Sequence, residues 1–169
     1  RVRTLFGGEL VSLVVTSAVP GEGKSTTAAN LAVVMAQSGM TVALIDADLR
    51  KPSVHKIFET NQRPGLIDSL LDEEAHSLRY STRRSLPNLY ITPCGQRPPN
   101  PAELLGSTRM KMIVDRLQDA VDMVIFDAPP LMAVADGLIL SGLVDGVLMV
   151  VGNRTERKAL MRSGEALQQ

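Results

Sequence analysis

Short apolar runs alternate with stretches of helical periodicity along this chain. Residues 10–16 (Leu-Val-Ser-Leu-Val-Val-Thr) predict a buried strand running into a Pro/Gly loop. Residues 24–38 predict a helix. Ala28, Leu31, Ala32 and Met35 stand at i, i+3, i+4 and i+7 on one face, and Gly39 follows where a C-terminal glycine belongs. Residues 41–45 predict a second strand, ending at Asp46. Pro52 suits the first turn of a helix running through Ile57, and 65–71 reads as another short helix. Residues 72–86 are polar and charged, with Arg79, Arg83 and Arg84, and predict an exposed segment. A third strand is predicted at 88–92, then a proline-rich loop at 96–101 and a helix at 102–120, broken near Gly106-Ser107. A fourth strand at 121–126 ends at Asp127. A helix at 135–140, a fifth strand at 146–151 and a helix at 156–167 complete the pattern.

Near-continuous Val/Ile/Leu strands alternating with helices predict an α/β fold: a mainly parallel β-sheet with helices on both faces. No internal repeat or linker interrupts it, so 1–169 reads as one domain. In such sheets ligands bind beyond the carboxyl ends of the strands. The chemically distinctive residues follow strand ends: 20–25, 46–50 and 127–130.

Composition narrows the class. Eighteen Lys+Arg balance eighteen Asp+Glu, which argues against a nucleic-acid binder. Aromatics are 3% and Trp is absent, so base-stacking platforms are not expected. The longest apolar run, 143–151, is interrupted by Asp145 and falls short of a membrane span. One cysteine, Cys94, excludes an intramolecular disulfide framework and fits a reducing compartment. The chain starts at Arg1 without a signal-peptide pattern and reads as a piece of a longer protein.

Ala18-Val19-Pro20-Gly21-Glu22-Gly23-Lys24-Ser25 fits a phosphate loop, with Ala18 where glycine is usual, and Thr26 extends it. The glycines let backbone N–H groups point at phosphate oxygens, and the helix after them adds its positive end. Lys24 is a point charge for the phosphates and the Ser25 hydroxyl a ligand for Mg²⁺. Asp46-Ala47-Asp48-Leu49-Arg50 and Asp127-Ala128-Pro129-Pro130 place three carboxylates at two strand ends. Helix capping explains one such aspartate. Three beside a phosphate loop point to a Mg²⁺ site of hard oxygen ligands. In extended chain Asp46 and Asp48 face opposite ways, so one can reach a metal while the other faces a nucleophile. A carboxylate that accepts a hydroxyl proton makes a kinase, and one that positions water makes an ATPase. Arg50 steadies this loop or contacts a substrate; spacing leaves both open.

Together these motifs resemble the bacterial tyrosine kinases (BY-kinases) of capsule and exopolysaccharide export, over nearly the whole chain. The phosphate loop of that family, which is of the P-loop NTPase type, matches residues 16–26. Its Asp-x-Asp-x-Arg motif matches 43–50, followed by Lys51-Pro52, and its Asp-x-x-Pro motif matches 124–130. Pro99-Asn100-Pro101-Ala102-Glu103-Leu104-Leu105 and Ala135-Asp136-Gly137 are also similar. The resemblance implies an ATP- and Mg²⁺-dependent protein-tyrosine kinase. Pro20, Gly21, Glu22, Gly23, Lys24, Ser25 and Thr26 would bind ATP. Asp46 would be the base, with Lys24, Asp48 and Arg50 in the catalytic group, and Ser25, Asp48 and Asp127 would serve Mg²⁺. It further implies ring-shaped homo-oligomers that phosphorylate a neighbour's tyrosine-rich tail. A transmembrane polysaccharide co-polymerase would be the activator, and the domain would lie on the cytoplasmic face of the bacterial plasma membrane.

Two departures stand out. The chain ends Glu165-Ala166-Leu167-Gln168-Gln169 without a tyrosine cluster, having only Tyr80 and Tyr90. Of the Glu-x-x-Arg-x-x-Arg assembly motif, only the last arginine has a counterpart, Arg3. Two rival readings are a partition or division-site ATPase and a non-catalytic ATP-binding assembly module. The first would carry a second lysine where Val19 stands, and the second sits poorly with three intact aspartates. His55 and His76 read as surface or helix residues, Cys94 as a buried thiol, Tyr90 as core, and the methionines as core filler. The arginines of 72–86 and of the last helix read as solvated faces.

Overall fold

The computed structural model describes residues 2–3, 9–72, 78, 81–83, 86–153 and 155–167. Its elements in chain order are β1 (Val2–Arg3), β2 (Glu9–Leu10), β3 (Ser12–Ser17), α1 (Lys24–Gln37), β4 (Val42–Asp46), α2 (Val54–Ile57), α3 (Leu66–Leu71), β5 (Ser81–Arg83), β6 (Leu86–Thr92), α4 (Pro101–Leu105), α5 (Thr108–Ala120), β7 (Met123–Asp127), α6 (Asp136–Ser141), β8 (Gly146–Val150) and α7 (Arg157–Ala166). The main sheet runs β5-β6-β4-β7-β3-β8. Five of its strands are parallel, and β5 alone pairs antiparallel, on β6.

Strands β3, β4 and β7 occupy the middle and are buried at every position. That explains their unbroken apolar sequence, since helices cover both faces. Alternate side chains enter separate cores. Val14, Ala43, Ile45, Val124 and Phe126 pack on one face with residues of α3, α5 and α6. Leu13, Val15, Val42, Leu44, Met123 and Ile125 pack on the other against Ala28, Ala29, Ala32 and Ala36 of α1. Four alanines on one face let α1 lie close over the sheet, which brings its first turn to the strand ends.

Several expectations shift in detail. Leu10 leaves the first strand and joins a small antiparallel ribbon with Val2. Pro52 is buried and precedes the helix, which starts only at Val54. The segment expected to be exposed contains the edge strand β5 and a buried Leu78. Arg79, Arg84, Tyr80, His76, Arg1 and Arg154 lie outside the described residues. Met110 and Met123 fill the core, whereas Met112, Met132 and Met161 are exposed. Tyr90 is half-buried against the core, and Cys94 is fully buried. Among the described residues no helix is long and apolar enough to cross a membrane.

The strand order explains where chemistry collects. The chain passes from β3 to β4 and leaves a slot between them, which β7 fills later. Asp46 and Asp127 thereby become register partners at the carboxyl ends of adjacent strands, and Val15 of β3 lies on the other side of Asp127.

Candidate active site

The phosphate loop follows β3. Gly21 and Gly23 hold φ of 86° and 85°, a left-handed conformation that favours glycine. Gly23 is also the N-cap of α1, so the loop turns sharply and feeds a 14-residue helix. Ala18, in place of the usual glycine, is fully buried, so its methyl group joins the packed interior. Pro20, Gly21, Gly23 and Thr26 are exposed, as an open anion-binding rim requires. The carboxylate of Glu22 points away from a phosphate role. Its Oε2 accepts from the Val19 amide (3.0 Å), while Oε1 accepts from the Gly152 amide (2.9 Å) and the Thr155 hydroxyl.

Lys24 bends over the loop toward the carboxylates. Its Nζ lies 2.8 Å from Asp48 Oδ2, 3.4 Å from Asp127 Oδ1 and 3.2 Å from Ser25 Oγ. Burial pulls the lysine pKa down, but the charges of Asp127 and Asp48 outweigh it and the net shift is upward. Asp127 is pushed up by burial against the opposing pull of Lys24 and Ser25, and its Oδ2 is buried without a partner. A cation therefore already sits where Ser25, Asp48 and Asp127 converge. One hydroxyl and two carboxylates also suit Mg²⁺, which keeps several waters and takes few protein ligands.

Asp46 and Asp48 do face different partners. Asp48 Oδ1 accepts from the Lys51 amide at 2.9 Å, which leaves Oδ2 to Lys24. Asp46 Oδ2 accepts from the amides of Ser53 and Val54, both at 2.9 Å, at the start of α2. Asp46 is not the N-cap of α2, which is Ser53, but one of its oxygens satisfies the amides at that helix start from seven residues upstream. Its other oxygen, Oδ1, is buried and unpartnered. Burial, and then the charge of Asp127, push Asp46 up to about 7 against the pull of those two amides. A carboxylate with one anchored oxygen, one free oxygen and a pKa near neutrality is equipped to accept a proton. Cys94 is not a rival nucleophile. Burial, and then the neighbouring Asp46, push its thiol up to about 12.

Arg50 is held rather than free. Its Nε and Nη2 donate to Asp136 Oδ2 and Oδ1 at 3.0 and 3.3 Å. Asp136 is fully buried, while the Arg50 side chain is 46% exposed. The pair ties the loop after β4 to α6, the first helix after β7. Sequence spacing alone gives Asp136 no role in the site. Its signal was an acid at the start of a predicted helix, and its partner lies 86 positions away.

Residues 11–136 match the family model described as ParA: NUBPL iron-transfer P-loop NTPase. The chain is 48% identical over 162 residues to the tyrosine-protein kinase YwqD of Bacillus subtilis, covering 94% of this chain and 67% of that protein. It is 39% identical over 163 residues to the putative tyrosine-protein kinase EpsB of Ralstonia nicotianae, covering 96% of this chain but only 21% of that protein. Among solved structures, the kinase domain of the Escherichia coli tyrosine kinase ETK superposes with a TM-score of 0.86 at 34% identity. That match covers 95% of this chain and 63% of that kinase-domain chain.

Proposed function

The chain belongs to the bacterial tyrosine kinase family of P-loop NTPases, and on that premise we propose that it transfers the γ-phosphoryl group of ATP to a tyrosine hydroxyl. The observation that carries this reading is Asp46: a buried carboxylate, anchored through Oδ2 and orphaned at Oδ1, beside the Lys24–Asp48–Asp127 cluster. The phosphate loop and Lys24 hold the phosphates. Ser25, Asp48 and Asp127 hold Mg²⁺, which when bound offsets charge on the phosphate oxygens. Asp46 Oδ1 takes the tyrosine hydroxyl proton as the tyrosine oxygen bonds to the γ-phosphorus, and the bond from that phosphorus to the ADP oxygen breaks. Arg50, fixed by Asp136, steadies the loop that carries both aspartates.

The acceptor is a tyrosine-rich tail of a neighbouring subunit, within a ring of copies. The system served is exopolysaccharide or capsule export, at the cytoplasmic face of the plasma membrane beside a transmembrane co-polymerase. These readings rest on kinship, since the chain spans about two-thirds of the Bacillus subtilis relative and about a fifth of the Ralstonia one.

The test incubates the chain with ATP, Mg²⁺ and a separate tyrosine-rich peptide, with Lys24→Met as control. Phosphotyrosine that depends on Lys24, read by mass spectrometry, supports the kinase. ADP without phosphotyrosine replaces it with an ATPase, and neither product points to a non-catalytic assembly module.

A further inference from the structure

Glu22 is chemically out of place: a carboxylate between the two left-handed glycines of a loop shaped to attract anions. Three donors absorb its charge, and they come from two parts of the chain. The Val19 amide belongs to the phosphate loop itself. The Gly152 amide and the Thr155 hydroxyl belong to the turn beyond β8, which the Thr155 amide closes on the Gly152 carbonyl at 3.1 Å. One carboxylate therefore bridges segments 130 residues apart. Gly152 lies in ordinary van der Waals range of the strut, since a Cβ there would stand 3.5 Å from Glu22 Oε1.

We propose that Glu22 is a positioning residue: a strut that fastens the phosphate loop to the Gly152 and Thr155 turn, and so holds the loop open for phosphate. This rests on the nucleotide reading of the site and deepens it. Two effects of Glu22 on phosphate binding oppose each other. Its negative charge repels phosphate, so a charge-only role makes Glu22→Gln bind phosphate more tightly. Its bridging fixes the loop, so losing it lowers the fraction of loops ready to bind and weakens apparent affinity. The carboxylate accepts at both oxygens, and an amide side chain accepts at only one. Glu22→Gln must therefore release either the Gly152 amide or the Val19 amide, neither of which can accept from an NH2 group. By linkage the coupling is reciprocal: phosphate in the loop also steadies Gly152.

The experiment uses the full chain with pyrophosphate and with Mg²⁺–ATP. The variants are Glu22→Gln and Thr155→Val, the latter removing a donor without altering the phosphate loop. Calorimetry gives affinity, and amide hydrogen exchange reads Gly152. The strut predicts about tenfold weaker pyrophosphate and ATP binding for Glu22→Gln, which is about 1.4 kcal/mol. It predicts several-fold weaker binding for Thr155→Val. Pyrophosphate slows Gly152 exchange in the wild type, and this slowing is lost in Glu22→Gln. A role confined to folding stability lowers the unfolding midpoint and leaves that ligand response intact, which overturns the proposal. Tighter binding by Glu22→Gln, or wild-type affinity in Thr155→Val, also overturns it. A wild-type chain that binds neither probe overturns the nucleotide reading and the strut with it.

Discussion

Replacing Lys24 with methionine separates the two tasks of this side chain, because the variant should lose nucleotide while gaining affinity for a bare divalent cation. Lys24 Nζ stands 2.8 Å from Asp48 and 3.4 Å from Asp127, whose side chains are 5% and 0% exposed. At an effective dielectric near 20, those contacts amount to about 6 and about 5 kcal/mol of gross attraction. Most of that is offset by desolvating the ammonium, and removing one partner of a buried pair costs about 3–5 kcal/mol. In Lys24→Met the two carboxylates are left facing one another beside Ser25. A divalent cation that had to displace the ammonium now meets an open seat. Recovering even about 1.4 kcal/mol of the lost pairing makes cation binding about tenfold tighter. The assay is a Mn²⁺ titration by electron paramagnetic resonance without nucleotide, with ATP binding followed by calorimetry. Mn²⁺ affinity equal to or below wild type would refute the idea that Lys24 occupies the cation seat. Undiminished ATP affinity would refute its role on phosphate.

The remaining predictions test neighbouring groups. Asp46→Asn retains Mg²⁺–ATP binding but lowers tyrosine phosphorylation by about 10²–10⁴, the contribution of a positioned base; near-wild-type transfer removes Asp46 from that role. Asp46 titrates at about 7 when folded against an ordinary 3.8, so the folded chain keeps a proton that the unfolded chain releases. Metal-free stability should therefore fall as pH rises from about 4 to about 7, by up to about 4 kcal/mol. Urea midpoints of wild type and Asp46→Asn with equal pH slopes would contradict this. Arg50→Ala leaves the buried Asp136 without its cation and should destabilise by about 1–3 kcal/mol, with Asp136→Asn recovering part of the loss. A double-mutant cycle with no coupling would show that the pair does not act together.

The legibility of the fold follows burial. Strands β3, β4 and β7 were readable to within about two residues, because a strand covered on both faces must be apolar throughout. The break between α4 and α5 was readable from Gly106-Ser107, and Ser107 does cap α5 by accepting from the Met110 amide. Strand β5 was not readable. Ser81–Arg83 is polar, and only pairing with the edge of β6 makes it a strand. The sequence pattern runs Leu10 into β3, because an apolar side chain beside a core strand looks the same whether it continues that strand or starts another.

Residue type and short spacing were enough to assign a phosphate loop at 18–25 and carboxylates at the ends of two strands. Those features are local: a glycine pair, a lysine opening a helix, an acid ending an apolar run. Which charge meets which was decided only by the tertiary structure. Lys24 reaches Asp48 and Asp127, Arg50 reaches Asp136, and Glu22 reaches Gly152. Asp46 binds the amides at the start of α2 through one oxygen and keeps the other buried without a partner, a division of roles that the sequence does not specify. The physical reason is that periodicity specifies which face of an element is buried, whereas these pairings depend on the order of strands in the sheet. Only after β7 enters between β3 and β4 do Asp46 and Asp127 become neighbours.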